Sequence, residues 1–199
     1  MNPSAGELKT GSIDMTIGPM FSGKTTELLK RVRRKVAASK KCLFVKYNGD
    51  TRYGQEPVLS THDKVHMAAK SVATLSEVEN AAWHYDVIAI DEGQFFPGES
   101  ITISKLHRSG VWLHQKLKQC WLVDLVERTE QWANDGKHVL VSALDATFQR
   151  KPFMNVLELI PLAENVIKLT AVCSDCHQSA SFTKRLSAET DIQVGTAMH

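Results

Sequence analysis

Apolar runs and amphipathic stretches alternate along the chain, and this order predicts alternating strands and helices. Five segments have the character of short strands, at residues 13–17, 41–47, 86–90, 138–144 and 166–172. Leu28, Val32 and Val36 recur at helical spacing after the first strand, and further helices are predicted at residues 76–84, 124–136 and 157–166. The alternation favours a parallel α/β sheet flanked by helices, followed by a small C-terminal β appendage with a returning strand at residues 182–185.

Composition limits the kind of protein. With 199 residues and 43% hydrophobic side chains, the chain can form one core and a small appendage. Its net charge of +2 gives no reason to expect nucleic acid or a membrane as a partner. Residues 1–12 are polar and predicted to be flexible, and no apolar run approaches the ~18 residues of a membrane span, so we expect a cytoplasmic protein.

The stretch between the first strand and the first helix has the most specific chemical pattern. Gly18, Gly23, Lys24 and Thr25 match the spacing G-x-x-x-x-G-K-[ST] without a mismatch. Glycines let backbone N–H groups face phosphate oxygens, and the N-terminus of the next helix adds positive charge. Lys24 is therefore expected at the β- and γ-phosphates of ATP, and the Thr25 hydroxyl on Mg²⁺. The predicted phosphate site is the whole loop: Gly18, Pro19, Met20, Phe21, Ser22, Gly23, Lys24 and Thr25.

Two acidic residues follow the predicted strand at residues 86–90. In proteins with such a loop, Mg²⁺ is held where a buried strand ends in acid residues, so Asp91 and Glu92 are predicted to lie at the metal site. In a phosphoryl transfer to a hydroxyl, one of the two acids can help to hold the metal while its neighbour takes the proton. A strand period of two points the two side chains to opposite sides. The alternative is that both carboxylates only cap the strand and meet solvent.

Several blocks together resemble one family, the zinc-containing type II thymidine kinases. The blocks are IGPMFSGKTTELLKRVRR (17–34), GDTRY (49–53), STHD (60–63), VIAIDEGQFFPG (87–98), SALDATFQRKPF (142–153) and LTAVCSDCHQSASFTKRL (169–186). The resemblance implies a P-loop NTPase-like kinase domain at residues 13–170, a homotetramer, and phosphorylation of the 5′-hydroxyl of thymidine by ATP. It implies Glu92 as general base and Asp91 as part of the Mg²⁺ site.

The resemblance also assigns two further groups of residues. Asp50, Arg52 and Arg185 match positions near the metal and the phosphates. Apolar residues able to sandwich a flat base match the walls of the thymine pocket: Met20, Phe95, Leu144, Phe148 and Phe153. The alternative role of these side chains, above all of Leu144, is ordinary core packing.

The sequence departs from the family pattern at two places. Residues 99–123 are an insertion, which is either an evolved loop or a feature of the transcript or gene model. Residues 171–199 are expected to form a truncated zinc and lasso subdomain, in which Cys173 and Cys176 have the spacing of two ligands of a structural Zn²⁺ site. Such a site needs four ligands, so the set is incomplete, and the alternative is two reduced thiols on a loose hairpin. The alternative functions are an impaired ATP-binding isoform that associates with full-length subunits, and a P-loop ATPase without a nucleoside acceptor.

Overall fold

A computed structural model describes residues 10–49, 68–96 and 124–186 of the chain. Six of its strands are β1 (Ser12–Gly18), β2 (Cys42–Tyr47), β3 (Ala68–Val72), β4 (Val87–Asp91), β5 (His138–Leu144) and β6 (Asn165–Lys168). These strands form one parallel sheet in the order β3-β2-β4-β5-β1-β6. The short strands β7 (Ala171–Val172) and β8 (Ser179–Ala180) form a separate antiparallel pair.

Helices cover both faces of the six-stranded sheet. They are α1 (Lys24–Ala37), α2 (Glu79–Ala82), α3 (Asp124–Asn134) and α4 (Met154–Leu159), with shorter 3₁₀ turns at Leu75–Val78, Gly93–Phe95 and Ile160–Leu162. Within the described ranges, no helix has the length and apolar character needed to cross a membrane.

The alternation of side chains along each strand produces two apolar layers. In β4, Val87 and Ala89 pack with Leu28 and Val32 of α1, whereas Ile88 and Ile90 belong to the core on the other face. That larger core is closed by side chains from α3 and α4: Leu125, Trp132, Val156 and Leu159. A strand that is buried on both faces is a continuous apolar run, which is why residues 86–90 are so strongly apolar. The predicted parallel sheet flanked by helices is confirmed.

The register of the sheet brings three strand ends together. Gly18 at the end of β1 lies beside Leu144 at the end of β5, and Ile90 of β4 lies beside Val141 of β5. Because β1, β5 and β4 are neighbours and parallel, the segments that follow them meet at one edge of the sheet. This edge is where ligands bind in open α/β sheets.

Several predicted elements differ from the structure. The helix expected at residues 76–84 begins with a 3₁₀ turn whose capping box is formed by Thr74 and Glu77. The strand expected at residues 166–172 is divided into β6 and β7, and the returning strand is β8, before residues 182–185. The helix expected at residues 157–166 begins earlier, at Met154; its α-helical part ends at Leu159, and a 3₁₀ turn that contains Pro161 continues to Leu162. Proline has no N–H for an α-helical hydrogen bond, which agrees with the end of α4 before Pro161.

Candidate functional site

The loop after β1 has the backbone that a phosphate site requires. Gly18 has a φ of 151°, and a Cβ atom there would lie 2.5 Å from the carbonyl oxygen of Leu169, so only glycine fits without a shift. Gly23 precedes α1 with a left-handed φ of 82° and leaves the first N–H groups of the helix without a side-chain cap. Uncapped N–H groups at a helix N-terminus are donors for an anion.

Lys24 closes this loop. Its side chain is buried, and its Nζ donates a hydrogen bond of 2.7 Å to the carbonyl oxygen of Pro19. The hydroxyl of Ser22 donates to the same oxygen at 2.8 Å. Phe21, which lies between Pro19 and Ser22 in the sequence, has a left-handed backbone and is 77% exposed. The structure therefore brings the predicted residues 18–25 into one compact loop, with the ammonium group held inside it.

Thr25 and Asp91 meet at this edge of the sheet. The Thr25 hydroxyl donates to Asp91 Oδ1 at 3.2 Å, which joins the start of α1 to the end of β4. Asp91 is 3% exposed, and burial together with the neighbouring Glu92 charge raises its pKa from 3.8 to about 6. A hydroxyl and a carboxylate are the hard oxygen donors that Mg²⁺ prefers, so these two residues fit that ion.

Glu92 lies just beyond the end of β4. Its backbone is left-handed, with a φ of 55°, and its side chain is buried. The side-chain amide of Gln94 donates to Glu92 Oε2 at 2.5 Å and accepts from the backbone N–H of Leu144 at 2.8 Å. The predicted base is therefore fixed between two strand ends. The sequence interpretation quoted Gln94 within a motif but gave it no role.

The aromatic side chains predicted for the base pocket have defined neighbours. The Phe95 ring lies 5.7 Å from the ring of Tyr47, centre to centre. The guanidinium carbon of Arg185 lies 4.0 Å from the centre of the Phe148 ring, so two residues predicted separately are in contact. Phe153 is half-buried and packs against the larger core. The positions of these aromatic side chains agree with both roles considered from the sequence, which are walls of a base pocket and core packing.

The segment after β8 reaches the phosphate loop. The backbone N–H of Met20 donates to the Thr183 hydroxyl at 2.9 Å. The Phe182 ring contacts two cations: Arg150 Cζ lies 5.4 Å and Lys168 Nζ lies 5.6 Å from the ring centre. Lys168 Nζ also forms an ion pair with Asp145 Oδ2 at 2.7 Å. Thr183 was missed in the sequence because no local pattern indicates a contact with a residue so distant along the chain. Asp50 and Arg52 lie outside the described residues.

Cys173 and Cys176 lie in the turn between β7 and β8. The N–H of Cys173 donates to the carbonyl oxygen of Gln178 at 2.9 Å, and the N–H of His177 donates to the Cys173 carbonyl oxygen at 3.0 Å. Backbone N–H groups, first of Cys176 and then of Asp175, donate to the Cys173 sulfur and lower its pKa. Two thiols so arranged fit half of a zinc site. Among the described residues, no group of three or more His, Cys, Asp or Glu side chains could hold a metal.

A parallel sheet with a phosphate loop after its first strand, and with acids at the end of the central strand β4, defines a P-loop phosphotransferase. Comparison with known proteins gives the family. The family model described as "Thymidine kinase" matches residues 11–112 and 118–198. The chain is 49% identical over 184 residues to the thymidine kinases of monkeypox virus and variola virus, which covers 92% of this chain and 88% of each relative. Identity to the thymidine kinase of vaccinia virus (strain Western Reserve) is 48% over the same shares. The chain belongs to the thymidine kinase family.

Proposed function

We propose that the chain transfers the γ-phosphoryl group of ATP to the 5′-hydroxyl of thymidine, giving ADP and thymidine monophosphate. The observation that carries this proposal is the hydrogen bond of 3.2 Å between Thr25 and Asp91, which brings the phosphate loop to the acidic strand end. The matched family and the names of the relatives support thymidine as the acceptor.

Each part of the site has a role in this reaction. Backbone N–H groups of the loop at residues 18–25, apart from Pro19, which has none, and the Lys24 ammonium bind the phosphates of ATP. Thr25 and Asp91 hold Mg²⁺, which supplies positive charge to the phosphate oxygens. Glu92 accepts the proton of the 5′-hydroxyl while the oxygen of that hydroxyl forms a bond to the γ-phosphorus. The bond between the γ-phosphorus and the oxygen of the departing ADP breaks. Arg185, together with Asp50 and Arg52, completes the phosphate and metal surroundings, as the family resemblance implies.

The thymine base occupies an apolar slot beside this centre. A flat base buries most of its surface when aromatic side chains cover its faces. Support comes from Phe95 and Phe153, which are half-buried, and from Phe148, one face of which Arg185 covers. The proposed walls are Met20, Phe95, Leu144, Phe148 and Phe153.

The proposal extends to assembly, zinc and location. A homotetramer is the assembly of the resembled family, and β6 supports association because, among the described residues, it is the last strand of the sheet and all four of its side chains are exposed. Zn²⁺ binding at Cys173 and Cys176 needs further ligands from outside the described residues. A cytoplasmic location is proposed from the resemblance to the cytosolic form of the family.

The test is release of ADP by the purified chain with ATP and Mg²⁺, with and without thymidine. We expect release to depend on thymidine and to fall about 100-fold or more in Glu92→Gln, because a general base contributes at least that factor. The matched control is Glu130→Gln, at an exposed carboxylate on α3, which should leave the rate unchanged. ATP hydrolysis that is independent of thymidine would contradict the proposal. The impaired-isoform alternative has no support from the comparisons or from the described residues.

A further inference from the structure

Gln94 is a buried amide that connects two functional strand ends. Its side chain is 5% exposed. Its Nε2 donates to Glu92 Oε2 at 2.5 Å, and its Oε1 accepts from the backbone N–H of Leu144 at 2.8 Å. The amide therefore joins the end of β4 to the end of β5, beside the proposed base pocket.

The partners of Gln94 determine which way the amide points. A backbone N–H can only donate, so the carbonyl oxygen of the amide must face Leu144. The NH₂ group then faces the carboxylate of Glu92, which accepts hydrogen bonds when ionised. Rotating the amide by 180° would oppose two donors at one end and two acceptors at the other. The orientation therefore presents an N–H donor to the Glu92 carboxylate.

The backbone around Gln94 is also held in place. Glu92 has a sparsely populated left-handed backbone, so its conformation depends on the contacts that surround it. From α4, the buried amide of Asn155 donates to the carbonyl oxygens of Phe96 at 2.8 Å and of Gly93 and Gln94 at 3.3 Å each. The 3₁₀ turn Gly93–Phe95 is thus fixed from one side by Asn155 and from the other by the Leu144 backbone.

We infer that Gln94 is a positioning residue for the phosphoryl transfer: it holds the Glu92 carboxylate at the angle at which it accepts the proton of the 5′-hydroxyl, with the Leu144 backbone as its anchor. This inference rests on the proposed role of Glu92. A group that orients a base acts on the chemical step and leaves substrate binding nearly unchanged. Loss of Gln94 should therefore lower kcat much more than it raises the KM for thymidine.

Two substitutions separate positioning from structural support. Gln94→Met keeps the approximate shape and removes both hydrogen bonds. Gln94→Glu keeps an oxygen that accepts from Leu144 N–H and, when ionised, removes the donor to Glu92. Because the new carboxyl group of Gln94→Glu also faces Glu92, a loss of kcat in this variant counts for positioning only when Gln94→Met shows it too. Gln131→Met, at an exposed amide on α3, is the matched control and should leave kcat unchanged.

The deciding experiment is a double-mutant cycle with Glu92→Gln and Gln94→Met, in which kcat, the KM for thymidine and the unfolding midpoint are measured. We expect Gln94→Met and Gln94→Glu each to lower kcat about 10- to 100-fold, with KM changed less than about threefold. In the Glu92→Gln background, Gln94→Met should change the residual rate less than about twofold, because the group it positions is already gone.

Each other outcome overturns the inference in a distinguishable way. An equal loss on both backgrounds means that Gln94 acts without Glu92. An unchanged kcat in Gln94→Met or Gln94→Glu, while Glu92→Gln is impaired, removes the role of Gln94 and leaves the proposed function intact. An unimpaired Glu92→Gln protein removes both assignments, whereas ADP release that ignores thymidine contradicts the proposed function itself.

Discussion

The burial of Asp91 should lower the free energy of unfolding of the chain when no metal is bound. Burial, with the Glu92 charge as a second cause, raises the pKa of Asp91 from 3.8 to about 6. Between these two pH values the folded chain holds more protons than the unfolded chain, so the free energy of unfolding falls as the pH rises through this window. One pH unit corresponds to about 1.4 kcal/mol, so the ionised carboxylate destabilises the metal-free chain by about 3 kcal/mol above pH ~6.

The substitution Asp91→Asn tests this magnitude. Asparagine keeps the shape and an oxygen that can accept from Thr25, but it never ionises. In urea denaturation with a chelator present, the variant should be more stable than the unmodified chain by about 3 kcal/mol at pH 8, and the difference should vanish towards pH 4. Other acids titrate in both proteins and largely cancel in the difference. A difference that stays constant with pH, or a less stable variant at pH 8, would refute the reasoning.

The activity of the same variant decides between the two interpretations of the acidic pair. If Asp91 holds Mg²⁺, Asp91→Asn should lose at least about 100-fold in kcat although it is more stable, because the amide removes the charge that attracts the ion. If the carboxylate only capped the strand, the gain in stability would come without a loss of activity. Thymidine-dependent ADP release measured across Mg²⁺ concentrations distinguishes the two.

Three other substitutions test the phosphate loop and the core. Gly18→Ala should lower the free energy of unfolding by about 1 to 3 kcal/mol in urea denaturation, because its Cβ would meet the Leu169 carbonyl oxygen at 2.5 Å; an unchanged midpoint contradicts this. Asp124→Ala should lower the free energy of unfolding by about 2 to 4 kcal/mol, because it leaves two N–H groups of the first 3₁₀ turn without an acceptor. An unchanged free energy of unfolding would exclude this role of Asp124 as an acceptor. Lys24→Met should lower kcat about 100-fold or more, whereas the exposed control Lys30→Met should not; similar rates for both would count against the phosphate role.

The fold could be predicted where local pattern and tertiary structure agree. The strand at residues 86–90 and the loop at residues 18–25 carry their information within a few neighbouring positions, as an apolar run and as a glycine spacing. Strand β3 was missed because its sequence AAKSV has little strand character. It is a strand because it pairs with β2, a long-range contact that no local pattern contains.

Sequence motifs indicated candidate site residues but not the contacts that join them. A strand period of two placed Asp91 and Glu92 on opposite sides, but β4 ends at Asp91 and the left-handed backbone of Glu92 ends that alternation. The contact of Gln94 with Leu144 joins residues 50 positions apart. Sequence motifs name such residues without saying which atoms meet, because the contacts depend on how neighbouring strands end.

The contacts of the site depend on the register of the sheet. Thr25 with Asp91 links α1 to β4, Gln94 with Leu144 links the turn after β4 to β5, and Gly18 lies beside Leu144 in the β1–β5 register. Each contact therefore involves the end of a strand whose position is set by backbone pairing within the sheet. A shift of register by one residue would move every side chain of that strand to the other face and separate these pairs at once. The backbone pairing of β1, β4 and β5 and the close packing of their side chains in the two apolar layers oppose that shift and so maintain the geometry of the phosphate and acid groups.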